Sequence, residues 1–159
     1  MGIGPSTKET TLHHFRDPLL KVVGGDEDFD CLGVMLAGIP QDNVNKLRTG
    51  DRVGAWAEAM RADGVIVSAD SWGNTNIDFA AAIEAIGKRD IPVMGITFAG
   101  TQGFIVENEY MDTIVDINKD QSGCETNVVG QNSMTERDAR KAAMILKLKM
   151  RRHDNEKER

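Results

Sequence analysis

Cysteine is scarce in this chain of 159 residues, with only Cys31 and Cys124 present. They belong to no CxxC or Cys/His spacing, so neither a disulfide framework nor a zinc or redox site is implied. Without a histidine partner neither reads as a nucleophile. Long apolar runs are missing too: no stretch approaches the roughly 20 residues a membrane-spanning helix needs. Met1–Lys8 lacks the basic segment and apolar run of an export signal, so the expected location is the cytoplasm. Positive charge is in deficit, with 19 Lys and Arg against 25 Asp and Glu and a net charge of −6. That field repels phosphate backbones and argues against nucleic acid as a partner. No Walker A loop, no GxGxxG, no internal repeat and no low-complexity tract occurs.

What remains is an ordinary globular composition, 40% hydrophobic and 28% charged, enough for one sizeable core. The expectation is a single domain over residues 1–152 followed by a charged, frayed tail at 153–159. Four apolar runs rich in Val and Ile, at residues 32–37, 64–68, 91–98 and 113–117, have the continuous character of strands buried on both faces of a parallel sheet. Helical patterns alternate with them. Asp17-Pro18 opens a short helix that stops at Gly24-Gly25. From Thr49 or Asp51 to Arg61, the stripe Val53, Trp56, Ala57, Met60 is expected to face the sheet, with Trp56 in the core. Thr75 with Asp78 reads as a capping box for a helix ending at Gly87, and Tyr110-Met111 as part of a short helix. A last helix opens at Ser133 with Glu136 as capping partner and presents Ala139, Ala142, Ala143, Leu146 and Met150. The pattern predicts an α/β three-layer sandwich with a mainly parallel sheet, flavodoxin-like or Rossmann-like.

In such sheets ligands sit at the carboxyl ends of the strands. The loops there are polar: residues 38–43, then Asp70-Ser71-Trp72-Gly73-Asn74, then Gly100-Thr101-Gln102-Gly103. Asp70, Trp72 and Asn74 place an aromatic wall beside hydrogen-bonding groups at a helix N-terminus, suited to a small polar or anionic ligand. The plainer alternative is a capped helix with Trp72 closing the core. Thr101 and Gln102 offer a turn whose backbone donors could cradle a carboxylate, or merely a turn. His13, His14 and Arg16 precede the first helix. Adjacent histidines point in different directions and do not share a metal, whereas Arg16 suits a carboxylate or a local ion pair.

The blocks Gly2–Glu9, Leu12–Leu19, Ala55–Gly64, Trp72-Gly73-Asn74, Gly100-Thr101-Gln102 and Tyr110–Lys119 resemble the carboxyl-terminal region of the D-proline reductase proproteins, and the same region of component B of glycine, sarcosine and betaine reductases. The resemblance runs to about Asn132. It implies a cytoplasmic complex of amino-acid-fermenting bacteria that reductively cleaves a substrate C–N bond with a dithiol reductant, opening D-proline to 5-aminovalerate. In that family a pyruvoyl group, left when the proprotein splits at a cysteine, acts as electron sink, and a selenocysteine on another subunit attacks.

This sequence begins at the Gly-Ile-Gly-Pro-Ser block and holds no selenocysteine. The expectation is therefore a short stand-alone paralogue, a subunit or accessory, or a fragment, oligomeric and not catalytic alone, with neither a metal nor a cofactor of its own. Its partners would be the pyruvoyl-bearing chain and the selenoprotein, and its substrate-contacting residues His13, His14, Arg16, Asp70, Trp72, Asn74, Thr101 and Gln102. A non-catalytic amino-acid binding or sensing module and a structural oligomerisation subunit stand as alternatives.

Overall fold

A computed structural model describes residues 18–69, 71, 73–100, 103–120, 122–124 and 134–158. Its described elements run α1 (Pro18–Gly24), α2 (Asn43–Ala59), β1 (Val65–Ser68), α3 (Thr75–Gly87), β2 (Val93–Thr97), β3 (Ile114–Asp116) and α4 (Glu136–Lys157). The sheet is parallel in the order β1-β2-β3, with Val65 opposite Val93 and Gly95 opposite Ile114.

Strand alternation divides the core between the two faces. Val93 turns to one side with Phe79, Ile83 and Ile86 of α3, and Val65 and Val67 pack against that cluster. Met94 and Ile96 turn to the other side, where they meet Val115 and the Ala139, Ala142 and Leu146 face of α4. Leu19 and Val22 of α1 and Ile66 of β1 join them. Gly95 has no side chain because a Cβ there would stand 2.5 Å from Cζ of Phe79. The Phe79 ring thus lies directly on the sheet. Burying each such side chain stabilises the fold by about 1.5–3 kcal/mol. The architecture is an α/β sandwich, as the alternation of elements predicts.

Several details depart from the expectations. Residues 32–37 form no strand: Leu32, Val34, Met35 and Leu36 are exposed, and Gly33 leaves extended geometry at φ +144°. Helix α2 begins earlier than its apolar stripe suggests, because the Asp42 side chain accepts a hydrogen bond from Asn45 N and caps it. Trp56 is not in the core but 62% exposed. The buried stripe of α2 is Lys46, Gly50, Gly54 and Ala57, and it packs on α3. The two helices run parallel: Gly50 abuts Ala81, Gly54 abuts Ala85, and Glu58 lies 3.4 Å from Arg89.

Tyr110 and Met111 lie in a turn closed by Met111 N and Asn108 O, with the Tyr110 ring over Gly87. The cap of α4 is Thr135 with Asp138, two residues beyond the expected start, and both bonds of the capping box form. Helix α4 also continues through Lys157, where His153 and Lys157 both reach Asp90. Asp17 and Ser133, expected caps, lie outside the described residues.

Candidate functional site

The carboxyl ends of β1, β2 and β3 carry buried polar side chains. Ser71, Asn76 and Thr97 are fully buried and Asn118 nearly so. The Ser71 and Thr97 hydroxyls hydrogen-bond to each other, and Thr97 Oγ1 accepts from Ala99 N. This ties the loop after β1 to the end of β2. Asn76, in the first turn of α3, accepts from Ile105 N at 2.8 Å and Val106 N at 2.7 Å. Asn108 donates from its amide nitrogen to Ala80 O. Together these bonds hold the loop after β2 against α3. Gly103 packs on Ala99 so closely that a Cβ there would strike its carbonyl, and Gly100 adopts φ +69°. Gly100 thus needs glycine for its backbone conformation and Gly103 for the space a side chain would take.

Beside the cluster, Lys46 of α2 is 1% exposed and pairs with Asp78 of α3. Asp78 spends its carboxylate on that ammonium, so the expected Thr75–Asp78 capping box does not define the helix start: Thr75 is already the first helical residue. Two buried atoms of this region have no hydrogen-bond partner among the described residues, Asn76 Nδ2 and Asp78 Oδ1. One is a donor and the other an acceptor, which is the complement a small polar molecule offers.

Of the eight residues expected to contact a ligand, only Asn74 is among the described ones. It is exposed, in αR geometry, and its side chain makes no capping bond, so the capping role open to it in sequence is not used. His13, His14, Arg16, Asp70, Trp72, Thr101 and Gln102 lie outside the described residues. Described residues beside Asp70, Trp72 and Gln102 do converge: Ser71 meets Thr97, and Asn76 holds the chain just after Gly103, whereas α1, which follows Arg16, packs on α4. Sequence reasoning missed Lys46, Asn76, Asp78 and Thr97. One signal existed, since a helix whose small residues recur as Lys46-x-x-x-Gly50-x-x-x-Gly54 invites close packing that must bury the lysine. Among the described residues no three His, Cys, Asp or Glu side chains are grouped to hold a metal ion. Nor is any described helix long and apolar enough to cross a membrane.

Residues 2–135 match the family model of glycine/sarcosine/betaine reductase component B subunits. The chain belongs to this family. It is 40% identical over 146 residues to the D-proline reductase proprotein PrdA of Acetoanaerobium sticklandii, a match that covers 91% of this chain and 23% of that protein. It is 28% identical over 105 residues to the sarcosine reductase complex component B subunit alpha of Peptoclostridium acidaminophilum, covering 64% of this chain and 24% of that one. The chain thus spans about a quarter of the length of these two relatives. No solved structure matches it.

Proposed function

We propose that this component B family chain is a subunit or accessory of a reductase complex of the D-proline or glycine/sarcosine/betaine type, working in the cytoplasm. The match over residues 2–135 carries the reading, and the 40% identity favours the D-proline branch. The chemistry in question, reductive cleavage of a substrate C–N bond, needs a carbonyl electron sink and a strong nucleophile. This chain's cysteines do not fit the role of pyruvoyl precursor. Cys124 is exposed in the turn that Asp120 closes, and Cys31 is half-buried at the head of the exposed apolar segment. Neither takes part in the hydrogen bonds of the polar cluster. The chain is therefore not catalytic alone, and a pyruvoyl-bearing chain and a selenoprotein are its partners.

The test is to tag the protein in its native host, purify it without oxygen, identify co-purifying chains by mass spectrometry, and assay dithiol-dependent D-proline reduction. Recovery of both partners with activity is the expected result. Recovery of this chain alone and inactive would overturn the reading.

A second reading, a non-catalytic amino-acid binding module, is favoured by Asn76 Nδ2 and Asp78 Oδ1 at the sheet edge, unpaired among the described residues. Ligand that binds only the native state raises stability by RT ln(1 + [L]/Kd). The binding-module reading expects a thermal shift with D-proline, glycine, sarcosine or betaine. No shift with any of them at saturation would remove it.

A further inference from the structure

The described sheet ends at β1, whose outer edge has no neighbour. The chain path fixes what lies beyond that edge. Asp26 and Asp28 are held by Lys147 of α4, and Phe29 packs on the same cluster, on one face of the sheet. By Asp42 the chain has reached the opposite face and caps α2. Both ends of this crossing are joined to helices that pack against β1. Gly64, which leads into β1, abuts Leu146 and Met150 in the turns of α4 around Lys147, and Val53 of α2 packs in the cluster that holds Val65 and Val67.

Two apolar surfaces flank the open edge. One is the crossing segment, where Val34 is 64% and Leu36 78% exposed. The other is the flank of α2 that continues Val53 at i+3 and i+7, where Trp56 and Met60 lie in solvent. Each lacks what the other offers, and an open strand edge lies between them.

We infer that residues 32–37 dock on the free edge of β1 as a fourth parallel strand, beneath Trp56 and Met60, with this chain's own segment as the occupant. The connection obeys the right-handed crossover rule, since strand, α2 and β1 then follow the same path as β1, α3 and β2. The loop left between strand and helix, residues 38–42, has an ordinary length for such a unit. The tether favours this chain's segment over another copy's, because linkage raises its effective concentration into the millimolar range. Gly33 is the hinge: without a Cβ it holds φ +144° in the open form and extended geometry in the docked one. Docking closes the exposed edge and sets residues 38–42 at the same sheet edge as Asn76 and Lys46.

Amide hydrogen exchange by NMR on the full chain tests this. Docking predicts that the alternate amides among residues 33–36 whose N–H groups face β1 exchange at least about 100-fold slower than unstructured amides, equally at low and high protein concentration and with a monomer's mass. Exchange at unstructured rates overturns the inference. So does protection that grows with concentration together with a dimer's mass, which would assign the strand to a second copy. Trp56→Ser, which alters only the outer flank of α2, is expected to speed the same amides about tenfold while β2 and β3 stay protected. Unchanged rates at residues 33–36 in this variant would also overturn it.

Discussion

The contact between α2 and α3 depends on single atoms. A Cβ on Gly54 would stand 2.5 Å from Ala85 O and 2.6 Å from Nη1 of Arg89, a nitrogen that itself donates to Ala85 O. Gly54→Ala is therefore expected to cost about 1–3 kcal/mol through overpacking, although alanine is the better helix former. Gly24→Ala, with nothing near its Cβ, is expected to stay within about 0.5 kcal/mol of wild type. Urea denaturation of both variants measures the difference. The Lys46–Asp78 pair obeys a different rule. Removing one partner strands a buried charge, so Lys46→Met is expected to cost about 3–5 kcal/mol. The double variant Lys46→Met with Asp78→Leu is expected to recover most of that loss, since two apolar residues replace a desolvated pair. A double-mutant cycle by chemical denaturation reads the coupling directly.

Among the elements, α4 is the best defined by its sequence and α2 the worst. The apolar face of α4, Ala139 to Leu146, is the one buried, because the sheet and α1 both pack on that face. Only its cap moved, from Ser133 with Glu136 to Thr135 with Asp138. Both pairs fit the capping spacing, and sequence alone does not choose between them. Thr135→Ala is expected to destabilise the protein by about 0.5–2 kcal/mol and to speed amide exchange in the first turn of α4 first. In α2 the apolar stripe predicted a face on the sheet, but the small residues Gly50 and Gly54 allow a closer approach to Ala81 and Ala85. That contact buries Lys46 and leaves Trp56 in solvent. The polar loops at the carboxyl ends of the strands were legible as a group. Their anchors Asn76 and Thr97 were not, because a buried side chain that bonds backbone looks no different in sequence from one that faces water.

Across the whole molecule, charge pairs fasten the outer parts to α4. Lys147 holds Asp26 and Asp28, Lys21 holds Glu136, and Asp90 takes His153 and Lys157. The Lys147 hydrogen bond, then the backbone bond from Asp28, keeps the Asp26 carboxyl below its ordinary value of 3.8. The Lys157 and His153 bonds do the same for Asp90, and the Lys21 ammonium lowers Glu136 from 4.5. A lowered carboxyl pKa means the unfolded chain takes up protons first. The contribution is complete above the ordinary carboxylate values and is lost as pH falls through the folded ones. Stability is thus expected to be flat from neutral pH to about 5 and to drop below about 4. In Lys147→Met the Asp26 share of that drop should shrink, with the part due to the Asp28 backbone bond remaining. Thermal unfolding midpoints of the two proteins between pH 2.5 and 7 provide the measurement. An acid limb equally steep in both would remove the role of Lys147.

The sequence by itself determined the alternation of strand and helix, the parallel sheet, the face of α4 and the family, because each rests on local periodicity or on blocks of residues read in order. The tertiary structure alone decided that α2 lies on α3 and that Lys46 is buried against Asp78. It also decided that residues 32–37 have an open form off the sheet and that Asn76 and Thr97 tie two loops into one edge. Those outcomes depend on how closely two backbones approach and on which polar groups lose water when they do. Neither quantity is a property of any one segment.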